Sequence, residues 1–217
     1  MVAVDFYFDL LCPWAYQASK WIREARTCRD IDVTWRFFSL EEGKWKDGDP
    51  HPWERPWSFG WSLLRVAAFL RDSQGGNESV DRFYEVAGRL FHEEGVKVHT
   101  QEGAEKALLE MGLDPGIVGE AIGDQATNDA VLADHRGGVE RGAFGVPTLV
   151  LDRSDVFFGP VIAPAPVGDA AGRLWDGVTA WREFPHLYEI QRPKLEADME
   201  HIKSQFAVYG VARGWSA

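Results

Sequence analysis

The chain opens on apolar, β-branched and aromatic residues from Val2 to Phe8, a pattern that predicts a strand. Leu10-Leu11-Cys12-Pro13-Trp14 then turns into a helix. Pro13 suits the first helical position, where its missing N–H costs nothing. Trp14, Ala18, Trp21, Ile22 and Ala25 recur at three- and four-residue spacing and carry that helix from Pro13 to about Arg26. Val33, Trp35 and Phe37 alternate within 31–38 and predict a second strand. A β-α-β unit of this size is a parallel crossover.

Residues 41–57 carry Trp45, Trp53 and Trp57 among prolines and predict an aromatic connecting loop whose rings must pack on something. From 58 to 142 the pattern is helical, with no strand signal. Leu63, Leu64, Val66, Ala67 and Leu70 suit one helix, and Val80, Phe83, Val86, Ala87, Leu90 and Phe91 another. Short helices follow at 104–111 and 115–122, and a fifth at 126–141. Val146 to Leu151 restores strand character after Pro147, Asp152–Asp155 is a turn, and Val156 to Phe158 completes a hairpin. A proline-rich loop at 159–166 leads to a helix near 169–184, and an amphipathic helix runs from about 193 to 206.

Composition narrows the function classes. The chain has 217 residues, 34 acidic against 23 basic, and a net charge of −11. That balance argues against nucleic acid as a partner and against an anionic membrane surface. No run approaches the ~20 apolar residues of a membrane span. The start lacks the basic and apolar regions of a secretory signal, so a cytoplasmic location is expected. The histidines have no metal-ligand spacing, no metal site is expected, and no phosphate-cradling glycine motif occurs.

The two cysteines carry the chemistry. Cys12 falls at the start of the first helix, where backbone N–H groups and the helix dipole favour a thiolate, the nucleophile of thiol–disulfide exchange. The plain alternative is a small buried hydrophobe. Asp9 is close enough in sequence to tune that thiol, but reads as a solvated or capping acid. The position three residues after Cys12 is Ala15, so no second thiol stands one turn away. Cys28 lies 16 residues further along the chain, roughly 24 Å if the helix continued, far beyond the ~7 Å limit for a disulfide. Cys28 is therefore expected to be a structural core residue. An external thiol would have to resolve any mixed disulfide on Cys12.

Strand, Cys-Pro turn, helix, strand, helical segment and Gly-Val-Pro-Thr before a hairpin is the thioredoxin arrangement with a helical insert. The expected fold is α/β, a thioredoxin-like mixed sheet with an all-helical insertion of the DsbA-like kind. Residues 1–40 and 143–217 would form the thioredoxin-like part, and 58–142 the insert. Phe6 to Trp14, Lys20-Trp-Ile22, Phe38-Ser-Leu40, Gly145 to Thr148, Phe157 to Val161, Gly172 to Asp176 and Pro185 to Tyr188 resemble the actinobacterial mycothiol-dependent nitroreductase family, from residue 3 to about 192.

That resemblance implies a redox enzyme drawing on a low-molecular-weight thiol, mycothiol or glutathione, with no tightly bound cofactor. It implies small electrophiles or disulfides as substrates. It places Pro13, Trp14, Ala15 and Tyr16 around the thiol, with Val146 and a cis Pro147 beside it. Trp53 falls near a substrate-binding aromatic of the family and Lys44 near a polar contact. Family members with Cys-Pro-Trp-Cys act as dithiols, whereas Ala15 here leaves monothiol chemistry. Two other readings stay open. One is a thioredoxin-like binding protein without redox function. The other is a thiol-cofactor isomerase or kappa-class transferase, a branch in which serine commonly replaces the first cysteine. The resemblance also admits a homodimer, for which the sequence marks no interface.

Overall fold

The computed structural model describes residues 1–214. A four-stranded sheet has the order β2-β1-β3-β4, formed by β1 (Val2–Phe8), β2 (Ile31–Phe37), β3 (Thr148–Leu151) and β4 (Asp155–Phe158). β1 pairs parallel with β2 from Val2↔Ile31 to Phe8↔Phe37, and antiparallel with β3. Central strands with covered faces read as near-continuous apolar runs. In β1, accordingly, Val4, Phe6, Tyr7 and Phe8 are all buried. At the β3–β4 turn, Asp152 and Arg153 adopt positive φ, and Asp152 Oδ1 accepts from the Ala3 N–H at 3.0 Å, tying the turn to β1.

Helix α1 (Pro13–Ala25) links β1 to β2. Between β2 and β3 run α2 (Leu40–Gly43), α3 (Phe59–Leu70), α4 (Asn77–His92), α5 (Gln101–Glu110), α6 (Ile117–Gly123) and α7 (Gln125–Glu140). α3 lies against α4, α6 and α7, while α4 and α7 reach β2. Arg23 of α1 places its guanidinium 4.6 Å from the Trp35 ring and pairs with Asp81 at 2.6 Å, so one side chain ties α1, β2 and α4. The chain ends with α8 (Asp169–Ala180), α9 (Glu196–Gln205) and α10 (Ala207–Ala212). Trp21 of α1 is fully buried and donates from Nε1 to Ala171 O of α8 at 3.0 Å.

Several expectations need correction. Helix α1 stops at Ala25, and Cys28 follows in a turn closed by Cys28 N–H to Ala25 O at 3.1 Å. Cys28 is exposed, not a core residue, with its sulfur against Gly172 of α8. The aromatic loop contains α2 and a 3-10 turn, Pro52–Glu54. Its rings do find partners: His51 stacks between Trp45 and Trp53 at 4.4 and 4.2 Å, and Trp57 Nε1 donates to His99 O at 2.8 Å. The helix expected to reach residue 184 ends at Ala180 and tightens into a 3-10 turn. Beyond α9 a further short helix, α10, has no counterpart in the periodicity reading, because six residues are less than two turns.

Gly88 of α4 makes room for the Tyr16 ring of α1. A Cβ there would sit 2.6 Å from Tyr16 Cε2, and Tyr16 is buried and stacked, so it cannot yield. Overpacking of this kind costs about 1–3 kcal/mol. Gly88→Ala should therefore lower the thermal midpoint by several degrees, and a melting curve at neutral pH checks this.

Candidate active site

Cys12 is the N-cap of α1, with φ −81° and ψ 115°. Its N–H donates to Asp9 O at 3.0 Å, and its carbonyl accepts the first helical bond from Tyr16 N–H at 3.0 Å. The Sγ is 3.7 Å from the carbonyl oxygen of Val146, which precedes a cis peptide to Pro147 at the head of β3. The thiol is thus a donor toward a carbonyl, an arrangement that a thiolate would lose.

Cys12 is 7% exposed. Burial pushes its thiol up to about 11; the amides of Ala15 and Trp14 and the charge of Lys44 act downward, while Asp9 acts upward. The helix terminus favours the thiolate as expected, but desolvation is the larger effect and reverses the result. In the resting structure Cys12 is a protonated thiol at neutral pH.

The turn that carries Cys12 is held by two buried polar groups: Asp9, which caps and tunes as one reading of the sequence had it, and His92, which local reasoning missed. Asp9 is a buried carboxylate, not a solvated one. Its Oδ1 accepts from Leu11 N–H at 3.0 Å and its Oδ2 from Leu40 N–H at 2.8 Å. Burial raises Asp9 to about 6, against the pull of those two amides. His92, at the end of α4, is also buried, and its Nε2 lies 3.0 Å from Leu10 O. A ring nitrogen facing a carbonyl must carry the proton, so Nδ1 is the bare nitrogen, and it has no partner. Burial lowers His92 to about 4 and keeps it neutral. The signal for His92 was its register, four residues after Gly88 on the buried stripe of α4.

The predicted site residues separate into two groups. Pro13, Trp14 and Ala15 follow Cys12 on the first turn of α1, and Val146, joined to Pro147 by the cis peptide just before β3, faces it with its carbonyl. Lys44 is exposed at the end of α2 and reaches the thiol only as a charge. Ala15 is fully buried. Tyr16 turns away into α4, stacking on His92 at 4.6 Å and donating to Glu93 Oε1 at 2.8 Å. Trp53 sits in the aromatic loop, at the 3-10 turn Pro52–Glu54. It lines a cavity of about 350 Å³ with Arg55, Arg65 and Asn128, and packs on Trp61 at 5.3 Å. No cluster of three His, Cys, Asp or Glu residues that could hold a metal occurs among the described residues. Among them, too, no helix is long and apolar enough to cross a membrane.

A helix-capping thiol before proline, set against a Val–Pro carbonyl on a mixed sheet, defines a thioredoxin-superfamily fold of the DsbA-like kind. Solved structures agree with this fold. One is a 2-hydroxychromene-2-carboxylate isomerase, with TM-score 0.61 and 16% identity over 83% of this chain and 95% of that one. Another is a probable DsbA oxidoreductase from Streptomyces coelicolor, with TM-score 0.58 and 21% identity over 88% and 94%. Residues 11–192 match the family described as "Rv2466c-like: Mycothiol-dependent nitroreductase Rv2466c", and the chain belongs to that family. A curated relative, "Uncharacterized protein Rv2286c" of Mycobacterium tuberculosis, is 46% identical over 99% of this chain and 92% of its own length.

The two clamps respond to pH with opposite sign. Asp9, raised to about 6 in the fold, takes up its proton there first, so acidification from pH 6.5 to 4 relieves a cost. His92, lowered to about 4, takes up its proton first in the unfolded chain, so the same acidification removes stability. Asp9→Asn keeps only one acceptor, abolishes the first effect and leaves the second in place. Its stability deficit relative to the parent should widen by about 1–3 kcal/mol between pH 6.5 and 4. Urea midpoints measured across that range test this; a constant deficit would contradict the burial assigned to Asp9.

Proposed function

We propose that this protein is a monothiol, thiol-dependent oxidoreductase or transferase that works through Cys12 with a low-molecular-weight thiol such as mycothiol. The observation that carries this reading is the sulfur at the N-cap of α1 beside Val146 O, with Ala15 where a resolving thiol would stand. Membership in the mycothiol-dependent nitroreductase family supports the same choice of cosubstrate.

The chemistry follows from the site. On uncovering, Cys12 loses its desolvation while the Ala15 and Trp14 amides remain, so its proton leaves to solvent more readily. The thiolate attacks one sulfur of a small disulfide, forming a mixed disulfide and expelling the other sulfur as a thiolate. A second small thiol then attacks that mixed disulfide, releases Cys12 as its thiolate, and carries the substrate away as a new disulfide. Cys28 takes no part, because it lies exposed beyond the far end of α1. The net charge of −11 fits a small-molecule substrate rather than nucleic acid.

One observation favours the second reading, a binding protein without redox chemistry: Cys12 is buried and protonated at rest. The two readings part on one experiment. In a Cys28→Ser background, incubation with mycothiol disulfide should add one mycothiol to the intact mass, mapped to the Cys12 peptide. Adding Ala15→Cys should replace that adduct with an internal disulfide between Cys12 and the introduced thiol, since i,i+3 positions on a helix lie within disulfide range. No adduct on Cys12 in the folded protein would sink the redox reading and leave the binding one.

A further inference from the structure

We propose that α9 and α10 form a specificity lid over Cys12, one that admits small polar thiols and small electrophiles and excludes an extended polypeptide. The proposal rests on the reading of Cys12 as the reacting thiol. It is carried by what the C-terminal helices touch.

Two aromatic contacts straddle the cysteine. Phe206, between α9 and α10, meets the Trp14 ring edge-on at 4.8 Å and 82°. Tyr209 of α10 stacks on His92 at 5.4 Å and 15°, and meets Phe91 edge-on at 5.6 Å. Trp14 lies two residues after Cys12, and His92 holds the Leu10 carbonyl two residues before it. The C-terminal pair therefore grips both flanks of the thiol, which is 7% exposed. Arg213, just past α10, also reaches the buried Asp9 as a charge. Along its middle α9 is pinned by His201 Nε2, which donates to Ala163 O at 3.0 Å.

The grip is local rather than deep. α9 has no buried residue, and α10 has only Ala212. Residues 184–195, which lead into α9, form no helix or strand and are almost all exposed. An element held by few buried contacts opens at low free-energy cost. The family match ends at residue 192, before α9 begins.

Beside the seam, along α1 and away from Cys12, lies a polar cavity. Gln205 of α9 and Gln17, Lys20 and Glu93 line this cavity of about 340 Å³. That volume is at the low end for small-molecule pockets. Its amide and charged lining suits a hydroxylated or amide-bearing thiol. An extended chain laid against Cys12 would need Phe206 and Tyr209 displaced.

Alkylation of the full chain tests the lid, with exposed Cys28 as an internal reference. In the parent, Cys28 should react with both iodoacetamide and a polyethylene-glycol maleimide, while Cys12 reacts slowly with the first and not with the second. In the Phe206→Ala/Tyr209→Ala double variant, Cys12 should react roughly tenfold faster with iodoacetamide and become open to the bulky reagent, through loss of two ring contacts. The Cys28 rate should not change. Hydrogen exchange on the unaltered chain decides the matter if the double variant unfolds. Amides of α9 and α10 should exchange well before those of α1. Bulky labelling of Cys12 in the parent, an unchanged Cys12 rate in the variant, or exchange in α9 and α10 as slow as in α1 would each overturn the lid. Alkylation reads access alone, so the lid fails separately from the redox reading, which fails only on the mycothiol adduct.

Discussion

The turn between β1 and α1 is fixed by a buried carboxylate and a buried imidazole, and the position of the thiol follows from that clamp. Asp9 accepts the Leu11 and Leu40 amides, joining the end of β1 to the start of α2. His92 donates to Leu10 O, joining the same turn to the end of α4. A buried polar group with its partners in place rigidifies a site, and one left without them is costly. Cys12 at the N-cap, Ala15 against the core and Val146 O over the sulfur are consequences of that fixed turn.

The aromatic core supports the clamp from below. Phe8 stacks on Tyr84 at 4.1 Å, Trp35 meets Tyr84 edge-on, and Arg23 lies over both Trp35 and Tyr84. These groups lock α1, α4 and the sheet together, so His92 arrives at Leu10 with little freedom. The sheet, α1 and α4 thus hold the Cys12 turn firmly, while α9 and α10 are held by few buried contacts.

Much of the fold is legible in the sequence because its signals are local. Pro13 at the helix start, the alternation of Val33, Trp35 and Phe37, and the strand after Pro147 each depend on neighbours within a few residues. The same holds for the first turn of α1, where Cys12, Pro13, Trp14 and Ala15 sit together by adjacency alone. What escapes depends on contacts between distant residues. Whether Asp9 is solvated or capping stays open in the sequence because its second partner, Leu40, is 31 residues away. His92 acts on a carbonyl 82 residues earlier. Cys28 reads as core only if the helix is extended past Ala25. The packing of Trp53 between His51 and Trp61 likewise depends on partners that only the folded loop brings together. The helix-terminus rule for a low thiol pKa fails here because burial is the larger effect, and burial is decided by packing across the whole chain.

The central claim is that Cys12 rests as a buried thiol that burial keeps protonated. The pH dependence of Cys12 alkylation in the intact protein tests it most directly. A thiol raised to about 11 should react with a rate that climbs about tenfold per pH unit from neutrality to pH ~10, without a plateau. A plateau below pH ~8.5, the range of a free or activated cysteine, would contradict the account.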